Sequence, residues 1–171
     1  MQNLTRKKQR GAGILEFTLA GIPLIFVMIS VIETGRGMWN YHTLARAVSK
    51  SARFAAMRGE GCGGANSCRV TVGTLTNRLA SEGIGLLPAH LNVTLVTDSG
   101  AVTTCNPLTA CTSSTTLWPP STNGDNTKGK KVTLTAQYAF RSALAMFWPG
   151  RGPVRIGSVT FPAASTQLIL F

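Results

Sequence analysis

The stretch that decides the fold runs from Phe17 to Ile32, FTLAGIPLIFVMISVI, and it contains no charge. Ile14 and Leu15 extend it on the far side of Glu16. At roughly 1.5 Å per residue the run makes about 24 to 29 Å of helix, close to a hydrocarbon core of about 30 Å. A helix buried in a soluble core would show a polar face, and none appears before Glu33. A cleaved secretory signal needs small residues at −3 and −1 just past the run, where only Gly35-Arg36-Gly37 stands. The reading is a retained membrane span over about 14–33.

The flanks orient that span. Arg6, Lys7, Lys8 and Arg10 precede it with no acidic residue, so the positive-inside rule keeps residues 1–11 in the cytoplasm as a basic leader. Everything beyond Ile32 is then exported. Past the span a helical stripe continues, with Leu44, Val48, Ala52 and Ala55 on one face and Arg46, Lys50 and Arg53 on a neighbouring one. Gly35 and Gly37 weaken this helix by about 1 kcal/mol each relative to alanine. Gly59, Gly61, Gly63 and Gly64 stop it. A helix over 12–58 would be about 70 Å long, more than half of it outside the bilayer.

The remainder, 59–171, reads as an extracytoplasmic α+β domain. Arg69 to Glu82 has a helical face in Val72, Leu75 and Leu79, closed by Gly83. Leu91 to Thr97 alternates as a strand. Residues 97–129 are rich in Ser, Thr, Pro, Asn and Gly, a surface excursion too long for plain coil unless stapled or functional. Lys131 to Phe140 is the clearest strand, with Val132, Leu134, Ala136 and Tyr138 pointing one way. Arg141 to Trp148 reads as a short apolar helix or turn, and Arg155 to Phe171 as one or two strands in which Pro162 marks an edge or a break. The fold class expected is α+β: a long N-terminal transmembrane helix continuing outside the membrane, then a small antiparallel sheet domain with a short packing helix.

The cysteines fall in two local pairs, Cys62/Cys68 and Cys105/Cys111, each with five residues between. Disulfides persist in oxidising compartments, which agrees with export. The spacing differs from that of zinc knuckles, and neither His42 nor His90 stands near enough in sequence to complete a metal site. Four cysteines allow three connectivities, of which pairing within each loop is preferred.

Chemistry has little to work with. The chain has 6 acidic residues, and Glu16 and Glu33 bracket the span. No phosphate loop, dinucleotide fingerprint or metal cluster is present in the sequence, which argues against an enzyme, a cofactor or a small-molecule substrate. The net charge of +11 raises the question of nucleic acid. Much of it lies in the leader and on the helix, however, and aromatic residues are not interleaved with the basic ones as base stacking requires.

The most informative junction is Arg10-Gly11-Ala12-Gly13-Ile14-Leu15-Glu16-Phe17. A basic leader ends in glycine, a glutamate stands at the fifth position after it, an aromatic follows, and an uncharged span begins. This resembles a type IV prepilin cleavage site in its Flp/Tad form. Pro23, Glu33-Thr34-Gly35-Arg36, Ala45-Arg46 and Ser51-Ala52-Arg53-Phe54-Ala55-Ala56 strengthen the resemblance, which is to the TadE-like pseudopilins of tight-adherence pili, with TadF-type proteins sharing the same N-terminal form. The resemblance covers roughly the first 60 residues. It implies cleavage between Gly11 and Ala12 by a prepilin peptidase, with Glu16 and Phe17 as recognition and assembly residues. It further implies a non-enzymatic role in an adhesive pilus, with the inner membrane, other pilins, the peptidase and the assembly platform as partners. Arg46, Lys50 and Arg53 form a basic stripe that is either a solvated face or a surface for acidic groups on such partners. Two alternatives stand beside it: a DNA-uptake pseudopilin with a clustered basic face, and an unprocessed single-span protein carrying a periplasmic module.

Overall fold

The computed structural model describes residues 12–62, 68–143 and 158–171. The leader with Gly11, the glycines at 63 and 64, and most of the Arg141–Trp148 segment lie outside the described residues. The first element, α1, is a single helix of 45 residues from Ala12 to Ala56. Pro23 sits inside it and leaves the carbonyl four residues earlier without its helical donor. The hydroxyls in the apolar half bond back to their own helix, Thr18 to Ile14 O, Ser30 to Phe26 O and Thr34 to Ser30 O, so none faces outward unpaired.

The chain then forms β1 (Val70–Thr71), α2 (Val72–Glu82), β2 (Leu91–Thr97), β3 (Val102–Cys105), β4 (Leu117–Trp118), β5 (Lys131–Arg141) and β6 (Ser158–Leu168). Four strands make one antiparallel sheet in the order β3-β2-β5-β6, while β1 pairs with β4. Register is set by Leu91↔Tyr138 and Thr97↔Val132 on one side of β5, and by Lys131↔Leu168 and Arg141↔Ser158 on the other. The expected α+β architecture is present. Pro162 lies in β6, an edge strand, where a missing N–H costs no ladder bond on the solvent side.

The core lies between the upper half of α1, α2 and one face of the sheet. Leu44, Val48, Ala52, Leu75, Leu79, Val93, Leu95, Leu134 and Ala136 are all fully or nearly fully buried. Both helical stripes read from the sequence therefore face inward. At Gly37 a Cβ would stand 3.6 Å from the Phe161 ring and 4.0 Å from that of Phe140, ordinary van der Waals contact, so both rings pack on α1 without needing glycine there.

Two expectations need correction. The second helix begins at Val72, not Arg69, because Thr71 caps it by accepting from the Thr74 N–H at 3.1 Å, while Val70 and Thr71 pair with β4. The 97–129 excursion is no simple surface loop. It contains β3, β4 and the 3-10 turns Leu108–Cys111 and Thr122–Gly124, and it buries Leu108, Trp118, Asp125 and Asn126. Its backbone finds donors in α2: Gly73 N–H donates to Ser114 O, Val72 N–H to Thr116 O, and the Asn77 amide to Thr112 O. A Cβ on Gly73 would lie 2.6 Å from Ser114 O, so only glycine admits this crossing.

Candidate assembly interface

From Gly13 to Ile32 every described side chain of α1 is exposed or half-exposed, although Phe17, Leu24, Phe26 and Val31 are large and apolar. In water such a surface would collapse or aggregate. Among the described residues this is the one helix long and apolar enough to cross a membrane. Phe17 is exposed beside Glu16, whose carboxylate has no partner among the described residues.

Glu33 behaves differently. It is the first buried residue along α1, only 7% exposed, and it ties the helix to the end of the sheet. Its carboxylate takes a bond from the Arg36 guanidinium at 2.5 Å and another from the Ala143 N–H at 3.0 Å. Arg36 in turn lies 5.5 Å from the centre of the Phe140 ring. Glu33-Thr34-Gly35-Arg36 is therefore a joint between the apolar helix and the domain. Sequence reasoning placed Glu33 at the end of the span without seeing that contact, since its partner is 110 residues away.

The basic stripe divides. Arg46, Lys50 and Arg53 are all exposed on α1, but the Lys50 ammonium already meets Glu82 of α2 at 2.7 Å. The Lys50 hydrogen bond, helped by the charges of Lys50 and Arg78, holds the Glu82 carboxyl below its usual range despite some desolvation. Arg46 and Arg53 have no partner among the described residues. Nearby, Arg58 and Arg78 cover the Phe54 ring from 3.7 and 4.6 Å.

The cysteines stand in the pairs Cys62–Cys68 and Cys105–Cys111, with Cα atoms 5.9 and 5.7 Å apart. The second lies within the 97–129 region. A further polar anchor there, missed from the sequence, is Asp125. Its burial alone would raise its pKa, but bonds from the Ser99 and Thr97 hydroxyls and the Ser99 N–H, with Lys130 nearby, hold it below the usual value.

These features define a class: an α+β domain carried on one exposed apolar helix, fit for single-pass membrane anchoring. Within that class, the family model described as TadE-like protein matches residues 11–53. The match is consistent with a TadE-like pilin of the Tad system and points to a Tad pilus-associated protein. No curated protein and no solved structure matches the chain. The matched segment takes in the junction from Gly11 on, the apolar half of α1, Glu33 to Arg36 and the whole basic stripe, while the sheet lies outside it.

Proposed function

We propose that the chain is a non-enzymatic pseudopilin or minor pilin that acts in the biogenesis of a Tad/Flp-type adhesive pilus. The observation that carries this reading is the TadE-like match, which opens at Gly11 and runs along the helix to Arg53. Processing between Gly11 and Ala12 removes the basic leader. The helix sits in the inner membrane with its N-terminus towards the cytoplasm, and the domain is periplasmic or extracellular. The paired cysteines support an oxidising compartment.

Glu16 has a defined task in this reading. Cleavage creates an α-amino group on Ala12, with an ordinary pKa of about 7.7 to 8.0 and hence largely cationic at neutral pH. A carboxylate within a membrane helix costs on the order of 2.5 to 3.5 kcal/mol near the centre and less near the interface, so a cationic partner is favourable. The amino terminus of an adjacent pilin provides one and selects the axial register. N-terminal sequencing of protein from a host with active prepilin peptidase tests the processing, and the expected first residue is Ala12. A chain that still begins at Met1 overturns the reading. Processed Glu16→Gln should insert normally yet lose crosslinking to co-expressed major pilin. Undiminished crosslinking leaves Glu16 in the recognition motif alone.

A further inference from the structure

Because Glu33 is turned into the protein and paired, it is not the first charge that lipid meets beyond Glu16. That charge is Arg36, whose side chain is half-exposed. Glu16 and Arg36 are 36 − 16 = 20 residues apart on an unbroken helix, about 30 Å at roughly 1.5 Å per residue, which equals the hydrocarbon thickness of a bilayer. The span therefore fits 16–36 better than 14–33. Three and five residues further on, about 4.5 and 7.5 Å higher, stand Trp39 and Tyr41. Their height is that of the headgroup layer, about 5 to 7 Å deep in each leaflet. Trp39 is 63% exposed, and indole and phenol rings favour that layer.

The domain presents a matching surface at the same height. The Trp39 indole lies over the backbone of Gly85, its Nε1 3.8 Å from where a Cβ would be. The loop containing Gly85 turns Ile84 and Leu87 outward, Ile84 to 71% exposure, with nothing among the described residues to cover them. Across the helix, Phe140, Phe161 and Val159 border an open, mostly apolar groove of about 600 Å³ against Met38 and Tyr41. Arg36 lies 5.5 Å from the Phe140 ring at its edge, and Arg141 follows Phe140, exposed, at the end of β5. The exposed acids Glu60 and Asp98 belong to the opposite end, where Glu60 follows the top of α1 and Asp98 pairs with Lys130 before β5.

We propose that this end of the domain is a lipid-docking base. Trp39, Tyr41, Ile84 and Leu87 enter the headgroup layer of the anchoring bilayer, and Arg36 and Arg141 meet its phosphates. The domain then rests on the membrane and does not stand off it on a bare stalk. Phospholipid is the occupant that fits because the base continues the lipid-facing surface of α1 and has a cationic rim. The inference rests on α1 spanning the membrane, and does not depend on assembly into a pilus.

The test uses the full chain labelled with 5-fluorotryptophan in nanodiscs of phosphatidylcholine and phosphatidylglycerol. The Trp39 fluorine resonance is the one lost in Trp39→Phe. A spin label on the lipid headgroup should broaden it several-fold more than the resonance of buried Trp118, and a label at the acyl tail should broaden it less. Ile84→Glu with Leu87→Glu should narrow the Trp39 line while the chain stays in the disc. A Trp39 line as narrow as that of Trp118 with either lipid overturns the proposal. So does broadening that the loop variant leaves unchanged, which would take the domain out of the contact. Shielding of Trp39 that appears only with a second pilin assigns the surface to protein instead. A chain that never enters the disc refutes the span itself, and the proposal with it.

Discussion

Between Gly13 and Ile32, α1 turns large apolar side chains outward all round, whereas from Glu33 to Ala56 the same helix keeps one buried face and one basic face. The order of side-chain size is reversed between the halves. Phe17, Leu24, Phe26 and Met28 are outside below, while Ala47, Ser51, Ala52 and Ala55 are inside above. Hydrophobicity alone does not predict burial; the medium does. The lower half suits lipid as its solvent, where no polar face is needed. The upper half has water on one side, and its small residues let a sheet close against the other.

The strongest way to break that contrast is to make the same substitution in both halves. Leu44→Ala empties a fully buried site and should cost about 2 to 5 kcal/mol of domain stability. Leu24→Ala, exposed on the helix, should change it by about 0.5 kcal/mol or less. Denaturant unfolding of the full chain in micelles, followed by near-UV circular dichroism, reads both. Equal losses would mean that the lower half packs against the domain, and the two-solvent account would fail.

Next in size is the joint between the halves. Glu33→Ala leaves the Ala143 N–H without its acceptor and Arg36 without its counter-charge, at about 1 to 3 kcal/mol. Glu33→Gln keeps an acceptor and should recover much of that loss. Amide exchange at Ala143 should accelerate in the alanine variant and much less in the glutamine one. If both variants exchange alike, geometry other than the carboxylate holds the joint.

What could be read beforehand follows the same divide. The long apolar helix was legible because an uncharged run needs no tertiary context. β5 was legible because Val132, Leu134, Ala136 and Tyr138 alternate, and all four are buried. The Glu33 contact was not legible because Ala143 lies 110 residues away in the sequence. The 97–129 region shows no strand period because β3 and β4 are too short to carry one, and bonds to Gly73, Val72 and Asn77 hold its turns in place. Trp118 between Leu117 and Pro119 was the available signal, since an indole in a polar stretch usually has somewhere to pack. Of the stripe residues, spacing showed that Arg46, Lys50 and Arg53 share a side, but not that Glu82 already engages Lys50.

Acid should act on the domain and spare the span. Asp125 is buried and its folded pKa is depressed, so its contribution is present above the unfolded value of about 3.9 and is lost as pH falls through the lower folded value. Each unit of depression corresponds to about 1.4 kcal/mol. Glu82 acts in the same direction through its exposed pair with Lys50. Wild-type stability should therefore fall as pH drops below about 4, while far-UV helicity from the membrane half persists. Asp125→Asn should be less stable at neutral pH and show a flatter acid limb. An unchanged acid limb would place the pH dependence elsewhere.

The smallest effect on stability, and the most specific on function, is expected at Arg46 and Arg53. Neither has a partner among the described residues, so replacing both with glutamine should leave domain stability within about 0.5 kcal/mol. Lys50→Gln differs, because it breaks the Glu82 pair, though an exposed ion pair is worth only about 0 to 1 kcal/mol. If the stripe meets acidic groups on another pilin, the arginine pair should matter more for association than Lys50, reversing their order for stability. Rising salt should weaken that association, since exposed charges are screened over about 8 Å at physiological ionic strength. Pull-down of co-expressed pilins by wild type, Arg46→Gln/Arg53→Gln and Lys50→Gln at low and high salt compares the two orders directly. Equal recovery from all three would make the stripe a solvated face, and the upper half of α1 would then serve the domain alone.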